Sequence, residues 1–441
     1  MKPQQKTPQR SLFHVSLHQV CDAQNPLFLL ADQVDWNALE KTFTPLYCED
    51  NGRPAKHVRL MVGLHYLKAM YGESDETVVK KWVENPYWQY FCGEMEFQHE
   101  FPIDPTTMVK WRNRAEQQGL GELLTQTIVT GLKVKAVHQK DFAHVNVDTT
   151  VMEKAITYPT DAKLLYTMLL RLLKLAREKK IALRQSYVRK AKMSFIMQGR
   201  YRHARQSKRA NRELRSLRTY LGRVMRDMAR KVVDDEVRVH LELASRVLKQ
   251  QRNDKNKIYS LHASEVECIA KGKAHQKYEF GVKLGLIATS KHPFILESQA
   301  LPGNPYDGHR LQELLVGAKN NIGPQHQIKQ VFGDQGYRKH NADETVEVHI
   351  VKRGTSKLKQ SLRYWLKRRA AIEPVIGHMK NDNGTRKNHL LGQSGDAMNA
   401  IFMACGYNLR RCLAALMFLF HFLRLIFVEP PKKHTAQGPL S

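Results

Sequence analysis

The stretch LRYWLKRRAAIEPVIGHMK, residues 362–380, decides how the rest of the chain is read. Wound into a helix, Leu366, Arg369, Glu373, Ile376 and Lys380 recur at alternating spacings of three and four, so they share one stripe. That stripe sets a single carboxylate between two cations, an arrangement suited to handling phosphate at a metal. Pro374 follows the carboxylate directly. Because proline removes a backbone donor and disfavours α geometry in the residue before it, a bend or broken turn is expected at Glu373.

Working outward, two upstream segments end apolar strand patterns in an acid. In FAHVNVDTTVMEKA, Ala143, Val145 and Val147 alternate with polar residues and deliver Asp148 at or near a strand end. In IKQVFGDQGY a short apolar run leads into Gly333-Asp334. Between and after them, strand signals at NKIYSLHASEVECIA, KYEFGVKLGLIAT, HPFILESQALPG and VEVHIVK are punctuated by the turn LPGNPYDGH and the helix HRLQELLVGAKN. Strand-acid, helical insert, strands, helix, strand-acid, strand, helix-acid is the order of an α/β (mixed α+β) fold, a mixed sheet with helices on its faces. Other acids compete for roles: Glu153, Asp307, Asp343, Glu344 and Asp382. Asp307 in NPYDGH is the strongest rival, and an Asx turn in a Pro/Gly-rich loop accounts for it without function. His262, His275 and His309 lack a metal-ligand spacing and read as structural or DNA-adjacent.

Upstream the chain is helical. DWNALEKTF has an N-cap aspartate, and KHVRLMVGLHYLKAMYG puts Leu60, Leu64, Leu67 and Tyr71 on one face before Gly72 stops it. In DPTTMVKWRNRAEQQG, Asp104 caps and Pro105 suits the first helical position. Met108, Trp111 and Ala115 face one way; Thr106, Lys110, Asn113 and Arg114 face the other. This suits a helix that reads a DNA groove, and equally a solvated face on an ordinary bundle. From about residue 161 to 251 the chain is helical and basic, with Leu165, Met168, Leu172 and Leu175, and Leu214, Leu217, Leu221, Val224 and Met228, at three-four spacing. The pattern fits an intrachain hairpin or a contact between two copies. Between Arg171 and Arg230 stand 20 Lys or Arg against 3 acids, a surface that fits a phosphate backbone or else merely solvates a coiled coil.

The whole chain carries 71 Lys and Arg against 42 Asp and Glu, a net +29, which points to a polyanion, nucleic acid before membrane. Six scattered cysteines without a CxxC pair signal neither zinc ribbon nor disulfide framework. The polar N-terminus has no apolar signal region, so the cytoplasm, at the nucleoid, is expected. The run from Cys412 to Val428 is short for a membrane span, contains His421 and Arg424, and is read as a terminal helix on the core. The expected units are an arm over 1–30, a helical DNA-binding domain over 31–138, a catalytic domain over 139–428 interrupted by a basic helical insertion over 160–252, and a tail over 429–441.

NVDTTV, VFGDQGYR and RRAAIEPVIGHMK, with HASEVECIAKGKAHQKYEFGVK, LPGNPYDGHRL and GRPAKHVRLMVGLHYLK in their order, resemble the bacterial DDE transposases of the insertion-sequence-five family. The resemblance covers most of the chain from Val34 to Leu409. It implies an RNase H-like catalytic domain whose metal-holding acids are Asp148, Asp334 and Glu373, with Arg369 and Lys380 on the DNA end. Related proteins carry a Tyr-Arg-Glu-Lys signature; here the Tyr slot is Leu366, with Tyr364 and Trp365 just upstream. It further implies duplex DNA as partner, a homodimer on paired ends, and Mg²⁺, two ions with Mn²⁺ able to substitute, because carboxylates are hard oxygen ligands. A catalytically inactive DNA-binding relative and an RNase H-like nuclease of repair are the alternatives, separated by cleavage and by joining of DNA ends.

Overall fold

The computed structural model describes residues 2, 15–48, 54–115, 119–231, 234–251, 253–270, 277–351, 359–384 and 386–427. Helices α1 (Leu17–Val20), α2 (Pro26–Gln33), α3 (Trp36–Phe43), α4 (Val58–Tyr71), α5 (Asp75–Glu84), α6 (Pro86–Phe91), α7 (Pro105–Ala115) and α8 (Leu120–Lys133) lead to the sheet. The sequence specifies their ends. Asn25, Asp35 and Ser74 accept first-turn amides, and Gly72 terminates α4 in the left-handed region at φ 67°. The single apolar face expected for α4 extends all round: Val58, Leu60, Val62, Tyr66, Leu67 and Met70 are buried together, because this helix runs through the middle of the core.

The sheet contains β1 (His144–Glu153), β2 (Glu267–Ala270), β3 (Tyr278–Thr289), β4 (Ile295–Leu301), β5 (Gln330–Gly333) and β6 (Glu347–Ile350). β3 lies antiparallel to β1, β2 and β4, while β5 is parallel to β1 and β6 parallel to β5, with β2-β3-β1-β5-β6 as the main path. This is a mixed α+β architecture with an RNase H-like sheet. The first part of the strand signal at NKIYSLHASEVECIA stays outside the sheet; only Glu267–Ala270 pairs. α13 (Leu311–Ile322) covers β3 and β4, and α14 (Gln360–Arg368), α15 (Ile372–Asp382) and α16 (Gly392–Phe427) close the fold.

α16 crosses α4 so closely that a Cβ on Gly406 would stand 2.6 Å from the backbone of Ala69. Ala404, Cys405, Leu409, Cys412 and Leu416 are buried while Met417 and Phe418 are exposed; the side chains from residue 419 on, most of the run expected to pack on the core, lie outside the described residues. Among the described residues no helix is long and apolar enough to cross a membrane. The N-terminal helices and the sheet share one continuous core. The arm expected over 1–30 is packed structure from residue 15 on: Leu17, Leu27, Phe28 and Leu30 are buried, and Phe28 stacks on Tyr90 at 3.8 Å. Ring faces of that size release more free energy by burial than an extended arm would keep. The tail expected over 429–441 lies outside the described residues.

α9 (Asp161–Glu178), α10 (Val188–His203), α11 (Ser207–Ala229) and α12 (Asp235–Lys249) intervene between β1 and β2 and have a core of their own. Leu165, Met168 and Leu172 are buried with Leu217, Leu221, Val224 and Met228. The leucine stripe is therefore consumed within the chain, as a helical bundle and not as a contact between copies.

Candidate active site

Two neighbouring strands bring the first two acids together. β1 pairs with β3 along nearly its whole length, from Val145 opposite Thr289 to Glu153 opposite Gly281. β5 pairs only with its beginning, ending with Asn146 opposite Phe332. Asp148 therefore sits in the middle of β1, not at its end, because β3 carries the strand onward. Extending the β1–β5 register by two residues sets Asp334 beside Asp148, at the point where β5 stops and leaves that edge of β1 open. Asp334 Oδ1 accepts the Gly336 amide at 2.9 Å, which fixes the turn after the strand.

The third acid arrives on a helix that breaks. α14 ends at Arg368, a 3-10 turn covers Arg369–Ala371, and α15 starts at Ile372. The break falls one turn before Glu373, where the Pro374 ring would meet the carbonyl four residues earlier, that of Ala370. Ile372, Val375 and Met379 bury one face of α15 and leave the Glu373 side chain 64% exposed. Arg369 turns inward: its guanidinium lies 3.6 Å from Asp148 Oδ2 and 3.3 Å from Glu373 Oε1. A cation thus bridges the first and third acids. Lys380 lies two turns further along α15.

A buried latch holds that junction. Asn146 Nδ2 donates to the Arg368 carbonyl at 3.1 Å, Ser290 Oγ donates to Asn146 Oδ1 at 2.7 Å, and Arg368 donates to the Ser290 carbonyl at 2.8 and 3.1 Å. Trp365 stacks on His144 with centroids 4.1 Å apart, so it packs on β1, while Tyr364 stays exposed beside it. Sequence reasoning missed the latch. Its one sequence signal was Asn146 two residues before Asp148, hence on the same strand face.

Asp307 is also drawn in. It opens a 3-10 turn, accepts from Lys283 Nζ at 3.0 Å and from Thr149 Oγ1 at 3.2 Å, and so spans β1 and β3. Its Oδ2 and Asp334 Oδ1 each lie 3.0 Å from where a Cβ on Gly336 would stand. Tyr337 is fully buried with its hydroxyl unpartnered among the described residues; burial first, then the charges of Asp307, Asp148 and Asp334, push that hydroxyl well above its ordinary pKa. Among the described residues no three His, Cys, Asp or Glu side chains converge closely enough to hold a metal ion; the Arg369 guanidinium occupies the gap between two of the acids.

The helix α7 lies apart from these acids, packed on α4 and α5. Met108, Trp111 and Ala115 are buried, and Thr106, Lys110, Asn113 and Arg114 are exposed, as the pattern predicts. The Thr106 hydroxyl is engaged by the Asp104 cap at 2.5 Å. Arg112, which the facial pattern left unassigned, is buried and pairs with Asp75 at 2.6 and 2.9 Å.

Two family models match the chain: one described as transposase domain (DUF772) over residues 15–114, the other as transposase DDE domain over residues 249–409. A protein of Rhizobium meliloti, described as uncharacterized protein ORF8 in the nfe locus, is 46% identical over 195 residues, covering 44% of this chain and 94% of that protein. No solved structure matches.

Proposed function

We propose a function from one premise: the chain belongs to the DDE transposases of insertion sequences. It binds the terminal inverted repeats of its element as duplex DNA, cleaves there, and transfers the cut strands to new DNA, as one copy of a homodimer acting at paired ends in the cytoplasm, at the nucleoid. Its finer placement in the insertion-sequence-five family rests on the segments around the three acids.

The observation that carries this reading is the approach of Glu373 to Asp148 through Arg369, beside the strand end where Asp334 stands. The donor set fits magnesium: three carboxylates, all hard oxygens, from three separate elements, one of them largely open to solvent. When bound, divalent metal supplies the charge neutralisation and nucleophile activation that phosphodiester cleavage needs. Asp148, Asp334 and Glu373 would hold it. Arg369 would offer its guanidinium to a DNA phosphate as a bidentate fork, and Lys380 would add a point charge further along α15. Thr106, Lys110, Asn113 and Arg114 present the exposed face of α7 to duplex DNA.

A nicking assay with Mg²⁺ on duplex from the flanks of the element tests the reading. Alanine at Asp148, Asp334 or Glu373 should abolish cleavage and leave DNA binding within about two-fold, since charge-assisted phosphate contacts lie elsewhere. Cleavage that survives a single alanine removes that residue from the site.

A further inference from the structure

We propose that the distal half of the α10–α11 hairpin is a prong that grips duplex DNA by its phosphates without reading sequence. The hairpin belongs to the separately cored bundle, but its end leaves that core. Beyond Ser194 on α10 and before Leu217 on α11, Ala210 alone is buried among the described residues. Phe195 and Leu214 are the last side chains packed on that core, so about two turns of each helix project past it, roughly 11 Å of paired helix. Gly199, midway along this part of α10, would meet nothing within 4 Å even with a Cβ added.

The projection is cationic and nearly free of acids. Arg200, Arg202, Arg205, Lys208, Arg209, Arg212 and Arg215 are all exposed, and Glu213 is the single acid between residues 195 and 216. None of these cations makes an ion pair among the described residues. Acids gather instead where α11 ends and α12 begins, at the end of the hairpin away from its turn: Lys179 pairs there with Asp234 and Glu236, and Lys231 with Asp227. The cationic end is also stiff. The turn closes through Gln206 N–H to the Tyr201 carbonyl at 2.8 Å, with Arg205 in the left-handed region at φ 55° and Arg209 lying over the Tyr201 ring. Holding like charges together costs free energy, which a rigid turn and a polyanion lying alongside would offset.

Charge complementarity selects duplex DNA, the substrate class of the proposed function, on which this inference rests. Geometry selects the backbone over the bases: the major groove, about 12 Å wide, admits one helix, and an antiparallel pair is about twice that breadth. Contacts to phosphate position a duplex but carry no sequence information. The prong thus holds flanking or target DNA, while α7 and the acids meet the element's end.

The test uses the full chain with Arg200, Arg202, Arg205, Arg209 and Arg212 replaced by Gln. Affinities for a duplex from the element's own flank and for an unrelated duplex of equal length are measured from 50 to 300 mM salt. Both should fall at least ten-fold at 150 mM, their ratio should stay unchanged, and the log–log salt slope should flatten by about 2–4, since each lost phosphate contact removes about 0.9. Unchanged slopes in a variant with the parent's circular dichroism overturn the prong, as does a loss confined to the flank duplex. If binding to vesicles rich in anionic lipid falls while DNA binding holds, the partner is a membrane and the proposal is wrong. Should the five-fold variant misfold, Arg205→Gln with Arg212→Gln asks the same question with a smaller slope change. Mg²⁺-dependent nicking at low salt is followed in parallel. Nicking with unchanged slopes sinks the prong alone, whereas absence of nicking by the parent chain sinks the reading of the acids.

Discussion

Arg369 Nη1 stands 3.6 Å from Asp148 Oδ2, a cation in the place between acids that a divalent ion would take. The guanidinium and a metal therefore compete for one carboxylate. Arg369→Ala should bind Mn²⁺ several-fold more tightly than the parent when DNA is absent, and should nick DNA at least ten-fold more slowly, because the phosphate clamp is gone. Arg369→Lys, keeping charge without the fork, should fall between. Calorimetric Mn²⁺ titration beside the nicking assay checks both; weaker Mn²⁺ binding by Arg369→Ala refutes the competition.

Asn146 is nearly fully buried and fastens the end of α14 to β1. Asn146→Ala leaves the Arg368 carbonyl and the Ser290 hydroxyl without this partner, a loss of about 1–3 kcal/mol of stability. It should also cut nicking well beyond what the lost fold explains, since Arg369 and Glu373 hang from that latch. Urea denaturation together with single-turnover cleavage at saturating Mg²⁺ separates the two effects. A stability loss with unchanged cleavage would show that the latch does not position the acids.

The strands, the capped helices and the leucine stripe of the insertion were legible because each obeys a local rule: alternation, a side-chain cap, three-four spacing. The three acids were legible through the segments around them. What the sequence hid were pairings between distant residues. Asn146 and Arg368 are 222 positions apart, and no spacing rule links them. Arg369 illustrates the difference: the stripe predicts its neighbourhood to Glu373, but only the packing of its 3-10 turn on β1 brings it to Asp148 as well. Asp307, read as a turn former, is one, yet it also tethers β1 to β3.

Gly336 separates Asp307 from Asp334, each with an oxygen 3.0 Å from the position of an added Cβ. Gly336→Ala must push one carboxylate aside, and Asp334 is the one needed for cleavage. Nicking should fall at least ten-fold with little change in the urea midpoint, because the methyl sits at a turn and not in the core. Asp307→Asn keeps the shape and one accepting oxygen but puts an NH2 in place of the other and loses the charge facing Lys283, and should still be milder than Asp307→Ala. If Gly336→Ala cleaves like the parent, the turn does not fix Asp334.

His65 gives the fold a pH dependence whose sign is fixed by its surroundings. The ring is buried, its Nδ1 lies 2.7 Å from the Met61 carbonyl, and its Nε2 lies 3.3 Å from Arg112 Nη1. Burial, and then the positive charge of Arg112, lower its pKa to about 3, with Lys68 adding to the effect and Asp75 opposing it. In the unfolded chain the same imidazole titrates near 6.5. Between those values the unfolded state holds the extra proton, so stability is full above about pH 6.5 and declines as pH falls toward 3, by about 1.4 kcal/mol per unit. From pH 6.5 to 5 this contribution should fall by about 2 kcal/mol, offset in part, in parent and variant alike, by Glu297, whose carboxyl burial pushes up to about 7 and which therefore favours the fold more as pH falls. Asp75 does not confound that window. Burial pushes its carboxyl up, but the Arg112 hydrogen bonds and the Lys68 charge outweigh this and leave it well below the ordinary carboxylate range. His65→Phe keeps a ring against Trp111 and Phe402 and has no proton to gain. It should be less stable than the parent at pH 7.5, with a shallower decline between pH 6.5 and 5. Parallel slopes for the two proteins in urea titrations would show that His65 is not the group responsible.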